Sequence, residues 1–252
     1  MSAEVEAEEV LKFVHPSNIM IAGPTGSGKT RFVADCLKHC MFEVVPTDLN
    51  TSDLERKFPD RLIWVYGEWQ PLYKEIKKLY PKIEFMKDPD FDLDPEKRNL
   101  VVLDDMMSRV KNDKNITKLF IQGSHHRNAT VIYIVQNIFE QGSESRTIHL
   151  NTQYFVLMKT NRDLGQITTL WTQLFDKESR AGFKDSYRRA TRKPHSYLLV
   201  DVHHATPDLW KLRSGIFPGQ KHRVYVPKGL EKGIKRKAEE DDDDEPQTKQ
   251  LI

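Results

Sequence analysis

Gly23-Pro24-Thr25-Gly26-Ser27-Gly28-Lys29-Thr30 is a complete G-x-x-x-x-G-K-[ST] phosphate loop. The apolar stretch Ile19-Met20-Ile21-Ala22 precedes it, and a helix-like run from Arg31 to Cys40 follows. A strand that ends in a glycine turn and opens a helix aims several backbone N–H groups at one spot. The positive end of the helix dipole points there too. In such a turn Lys29 reaches the β- and γ-phosphates, and the Thr30 hydroxyl ligates Mg²⁺. The whole loop, Gly23, Pro24, Thr25, Gly26, Ser27, Gly28, Lys29 and Thr30, is therefore read as the cradle of a nucleoside triphosphate.

Outward from the loop, the chain alternates β-like and helical runs. The β-like runs are Arg61–Tyr66, 83–85, 100–103, 130–135, Tyr154–Met158, 196–200 and 223–226. Helical stretches fall at 69–79, 116–124 and 164–175. The last of these carries Ile167, Leu170, Trp171, Leu174 and Phe175 at helical spacing. Alternation of this kind predicts a three-layer α/β fold, with a mostly parallel sheet covered on both faces. With 252 residues the chain has room for one large domain and tails. We place an acidic arm at 1–11, the ATPase domain at 12–228, and a charged, disordered tail at 229–252. No apolar run approaches the ~18–20 residues of a membrane span, and residues 1–9 lack a signal-peptide pattern. Cys36 and Cys40 are read as sharing one helical face as packing residues rather than a metal site. Low cysteine content suits a reducing, intracellular setting. The aspartates of 88–98 read as a solvated loop, because the glycine and terminal glutamate of an EF-hand are missing.

A second cluster lies at Leu100-Val101-Val102-Leu103-Asp104-Asp105, four apolar residues ending in two acids. After such a buried strand, Asp104 is placed to hold Mg²⁺ through water. Asp105 is placed to orient or polarise the attacking water. Two β-like runs lie between the phosphate loop and this pair. An added strand there separates the catalytic-glutamate ATPases from kinases and GTPases. The run Thr130 to Val135 ends in Gln136-Asn137. If its strand lies beside the acid-bearing one, Gln136 faces the γ-phosphate; otherwise it caps a strand end. No Asn-Lys-x-Asp base-reading motif is present, which favours ATP over GTP.

These residues resemble the FtsK–HerA superfamily of DNA-pumping ATPases. Within it they are most similar to the poxvirus-type genome-packaging ATPases of large DNA viruses and of Maverick/Polinton-type elements. The resemblance rests on His15-Pro16, the G-P-T-G-S-G-K-T loop, Leu103-Asp104-Asp105-Met106-Met107 and the V-I-Y-I-V-Q-N strand. It extends more weakly from Lys159-Thr160-Asn161-Arg162-Asp163 to Phe217-Pro218-Gly219. One departure is Asp104-Asp105, where many members carry Asp-Glu. The resemblance implies an ATP- and Mg²⁺-dependent motor that moves double-stranded DNA into a capsid. It also implies a P-loop NTPase of RecA/FtsK-like form and a ring, a hexamer, in which one subunit's arginine reaches its neighbour's γ-phosphate. Arg127 and Arg162 are the candidates, with an ordinary surface salt bridge as the alternative for each. A capsid or portal component is the remaining partner class, and no membrane is implied.

Net charge is only +2, yet its distribution is uneven. Lys177, Arg180, Lys184, Arg188, Arg189, Arg192 and Lys193 face only Glu178 and Asp185 within one segment, which also holds Phe183 and Tyr187. This segment offers phosphate contacts without sequence readout, or else is a solvated helix face. Lys235-Arg236-Lys237, beside the acidic run to Glu245, reads as a nuclear import signal and suggests a host-nuclear or virion setting. His125-His126 and His203-His204 are read as diverging neighbours rather than paired ligands. Two rival readings remain: another P-loop enzyme, such as a helicase or nucleotide kinase, and a nucleotide-binding scaffold without turnover.

Overall fold

The computed structural model describes residues 2–7, 10–44, 58–106, 113–139, 144–162, 164–175, 177 and 180–227. Among them, ten strands form one sheet and two short strands pair beside it. The parallel part begins with β3 (Asn18–Ala22), every residue of which is buried. It pairs on one side with β8 (Ala129–Val135) and on the other with β9 (Tyr154–Met158), both parallel. Beyond β8 lie β7 (Asn99–Asp104), β5 (Arg61–Tyr66) and the three-residue β6 (Glu84–Met86). Beyond β9 the direction reverses. There β10 (Tyr197–Asp201), β11 (Leu212–Ser214), β12 (Arg223–Pro227) and β1 (Ser2–Glu6) follow as antiparallel neighbours. The small pair is β2 (Phe13–His15) with β4 (Phe42–Val44).

Strand residues divide strictly between the two faces, and this alternation builds the layers. From β7, Leu100 and Val102 join Phe32, Val33 and Leu37 of α1 (Lys29–Lys38) and Tyr73 and Ile76 of α2 (Leu72–Leu79). Val101 and Leu103 face the opposite way. They join Ile116 and Phe120 of α3 (Lys114–His126), Ile148 of α4 (Ser145–Leu150), Ile167 and Trp171 of α5 (Leu164–Leu174) and Phe183 of α6 (Arg180–Ala190). Covered on both sides, the parallel strands are continuous apolar runs, as burial on two faces requires. This is the three-layer, mostly parallel α/β fold expected from the sequence. No helix among the described residues is long and apolar enough to cross a membrane.

Several local expectations change. The acidic arm contributes β1 to the sheet: Glu4 pairs with Arg189 and Arg223, and Val5 sits opposite Val224. Cys36 is buried, but Cys40 lies past the end of α1 at φ 52° and is exposed, so the two do not share a buried face. The basic segment is largely helix α6, and its aromatic residues Phe183 and Tyr187 are core. His203 and His204 do not diverge. They sit in a turn after β10, where their rings lie 4.3 Å apart, because the alternation of a strand does not extend there. Met107, Asp163, Glu178, the tail at 229–252 with Lys235–Lys237, and the side chains of His125 and His126 lie outside the described residues.

Candidate nucleotide site

Parallel pairing aligns the carboxyl ends of the central strands. In register, Ala22 of β3 faces Val135 of β8 and Leu157 of β9, while Asp104 of β7 faces Ile134 of β8 and Tyr66 of β5. The loops leaving these strands therefore open onto one rim, the usual ligand position in open α/β sheets. The Gly23 N–H donates to the Val135 carbonyl at 3.2 Å and ties the phosphate loop to β8. A Cβ at Gly23 would lie 2.6 Å from the Met158 Cβ, so only glycine permits this close passage beside β9. Gly26 and Gly28 take φ values of 76° and 98°, where a side chain is strained.

Gly28 caps α1 without a side-chain hydrogen bond, which leaves the first-turn N–H groups open to an anion. The buried Ser27 hydroxyl has no hydrogen-bond partner among the described residues, an orphan that suits the same ligand. Lys29 folds over this loop, and its Nζ donates to the carbonyls of Gly23 at 2.7 Å and Pro24 at 3.0 Å. Burial pulls its pKa down, while Asp104 and Asp105 oppose the shift.

Thr30 Oγ1 donates to Asp104 Oδ2 at 3.1 Å. Tyr73, from α2, donates its hydroxyl to the same oxygen at 2.8 Å. Burial raises the Asp104 pKa, and the hydrogen bonds from Tyr73 and Thr30 draw it back. A hydroxyl beside a buried carboxylate is a hard oxygen set of the kind Mg²⁺ accepts together with waters and phosphates. Asp105 follows at φ 57° and is exposed to the cleft. Gln136 Nε2 lies 3.5 Å from its Oδ1, the long limit of a hydrogen bond. Thus β8 does lie between the loop-bearing and acid-bearing strands, and Gln136 shares the rim with Asp105.

Three openings surround the loop. A cleft of about 370 Å³ runs between Gly28–Arg31, Asp104, Asp105, Gln70 and Gln136. A larger one, about 670 Å³, lies between Pro24–Ser27, Gln136, Asn137, Lys159–Arg162 and His195. The third, about 430 Å³, lies between Gly28, Asp35, His195, Tyr197, Phe217 and Gln220. Arg162 is exposed and lines the second cleft, on the same rim as the phosphate loop. Arg127 sits at the opposite end of the sheet, just before β8, where Nη1 pairs with Asp92 at 2.8 Å. The structure therefore brings Lys29, Thr30, Asp104, Asp105 and Gln136 together and leaves Arg127 apart from them. Sequence reasoning missed Tyr73 and Gly67. Tyr73 falls there within the helical stretch 69–79 without being singled out. Gly67 closes β5 and was available as a signal, since a glycine after a strand marks close backbone approach.

No family model matches the sequence, and no curated protein matches it. Among solved structures, the chain is similar to the genome packaging NTPase B204 from Sulfolobus turreted icosahedral virus 2 in complex with ATP-gammaS. That match has 12% identity and a TM-score of 0.48, over 75% of this chain and 94% of that one. A second similarity is to the N-terminal domain of zonular occludens toxin from Neisseria meningitidis. There the values are 14% identity and a TM-score of 0.33, over 59% of this chain and 80% of that one. Likeness at this level carries no argument about function.

Proposed function

We propose that the chain is a Mg²⁺-dependent ATPase that works as a ring and moves double-stranded DNA, as a viral genome-packaging motor does. The observation that carries the hydrolytic part is the convergence on one rim of the Lys29 ammonium, the Thr30–Asp104 pair and the open Asp105 carboxylate. Lys29 and the first-turn N–H groups of α1 hold and neutralise the phosphates. Thr30 and Asp104 hold Mg²⁺, which supplies charge neutralisation at the transferred phosphoryl group. Asp105 orients a water for in-line attack, and Gln136, bridging toward Asp105, senses the occupied phosphate position. ATP is the nucleotide this reading assigns.

The motor part rests on two further features. Lys184, Arg188, Arg192 and Lys193 are exposed on and after α6, and such a face suits backbone phosphates of any sequence. Arg162 stands at the rim, placed for a shared site between subunits, with Arg127 as the alternative from the far end of the sheet. The order of the motifs supports the poxvirus-type kinship, and Lys235–Lys237 supports a host-nuclear or virion setting.

Phosphate release with and without duplex DNA tests the reading. Turnover that DNA stimulates and that Lys29→Ala and Asp105→Asn abolish is the expected result. Phosphate transfer to a nucleotide acceptor would mean a kinase, and binding without turnover a scaffold. For the shared site, Lys29→Ala and Arg162→Ala proteins are mixed. Recovery of part of the turnover is expected, because some interfaces then combine an intact loop with an intact arginine. No recovery, with either arginine, would remove the trans assignment.

A further inference from the structure

The acid-bearing strand has a partner that the phosphate-loop chemistry does not require. Tyr73 is fully buried, with 0% of its surface exposed, and its hydroxyl donates at 2.8 Å to Asp104 Oδ2. That oxygen also accepts from Thr30 Oγ1. The ring itself has little freedom. Phe85 stacks on it at 5.3 Å with the planes 28° apart, and Trp64 and Trp69 lie at 5.3 Å in tilted and edge contacts. Pro71 stands at the N-cap of α2, two residues before Tyr73, where its fixed φ suits a helix start. The preceding loop also supplies Gln70 to the cleft. A phenylalanine would fill the same apolar space, so the hydroxyl's contribution is its bond to Asp104. With Tyr66 at 5.6 Å as a fourth aromatic neighbour, this phenol is a rigid donor, and a rigid donor fixes the carboxylate it binds.

We propose that Tyr73 is a positioning residue for the divalent cation: its hydroxyl holds the Asp104 carboxylate in one orientation beside Thr30 and thereby sets the affinity of the site for Mg²⁺. This rests on the reading of Asp104 as a cation-holding residue. In that role the β5–β6 crossover, an insertion between the phosphate loop and the acid pair, is part of the site. It also explains why a polar atom sits among the aromatic rings of this part of the core.

The test is Tyr73→Phe, read by cation binding as well as by turnover. Mn²⁺ binding by electron paramagnetic resonance, and the thermal shift given by Mg²⁺ with a non-hydrolysable ATP analogue, both report the cation directly. Loss of a partner behind a metal ligand weakens metal affinity about 10–100-fold. The expected result is therefore a rise of at least about tenfold in the half-saturating cation concentration, with nucleotide affinity in the absence of cation unchanged. Turnover should recover as Mg²⁺ is raised. Glu75→Gln, on the same helix as Tyr73, breaks an exposed pair with Arg31 of α1 and should leave the cation midpoint where it is.

The double variant Tyr73→Phe/Asp104→Asn separates positioning from packing. With the carboxylate gone, losing the hydroxyl should add no further loss of cation binding. An unchanged cation midpoint in Tyr73→Phe overturns the proposal, as does an equal stability loss in both backgrounds with cation affinity intact. If Asp104→Asn alone binds cation like the wild type, the reading of Asp104 fails instead, and the two failures are distinguishable.

Discussion

Gly67 and Asp105 hold each other in place across the rim. The Gly67 N–H donates to the Asp104 carbonyl at 3.0 Å, and a Cβ on Gly67 would lie 2.7 Å from the Asp105 carbonyl oxygen. Asp105 itself sits at φ 57°, a conformation that residues with side chains adopt only when neighbours enforce it. Gly67→Ala should push the Asp105 backbone away and misplace its carboxylate. A misplacement of about 1 Å can cost roughly 100-fold in rate. We therefore expect turnover to fall by about that factor while nucleotide binding, measured by fluorescence titration, stays near wild type. These contacts also show what was readable at this scale. The phosphate loop was legible because its glycines and lysine act within eight consecutive residues. Asp104 and Asp105 were legible because an apolar strand announces its end. Tyr73 acts from a helix on Asp104, 31 positions away, and no local pattern marks such a pair, whereas Gly67 carried only the general signal of a glycine after a strand.

Among the elements, the turn from parallel to antiparallel pairing depends on β10 and β11. Asp201 and Arg213 join these strands by an ion pair whose side chains are 2% and 0% exposed. Burial raises the Asp201 pKa and lowers that of Arg213, each opposed by the charge of the other. Removing one partner strands a buried charge, at about 3–5 kcal/mol. Arg213→Ala should therefore shift the urea midpoint strongly, while the paired change Asp201→Leu/Arg213→Met should recover most of the loss. The midpoint of each variant checks this. The strands of the parallel half were legible from their continuous apolar runs, because burial on both faces leaves no other composition. Two elements were not. Three-residue β11 is too short to show a period, and in α6 the density of Lys and Arg masks the apolar stripe of Phe183, Tyr187 and Ala190.

At the scale of the whole molecule, acid should unfold the protein through two buried histidines. His15, enclosed by Thr130, Asn128 and Phe58, has its pKa pulled down to about 4, chiefly by burial. His149, between Phe139 and Phe155, is pulled down to about 4 by burial. Unfolded, each titrates near 6.5. The unfolded chain therefore binds more protons between pH 6.5 and 4, and stability falls as pH drops through that window. The raised pKa values of Asp104 and Asp201 act in the opposite sense, since those groups take up protons more readily when folded. Thermal midpoints measured across pH should decline below 6.5, and His149→Gln should flatten the slope. A midpoint constant from pH 7 to 4.5 would contradict the assignment.

The order of the strands also limits how copies of the chain can meet. Among the described residues the outer strands are β1, which carries Glu4 and Glu6, and β6, only three residues long. Short or charged edges resist pairing with another sheet. Copies in the proposed assembly would then meet through loops and helices, and each interface could open and close without breaking a ladder of backbone hydrogen bonds. In the proposed ring, such interfaces would let the geometry change at each turnover while each sheet stays whole.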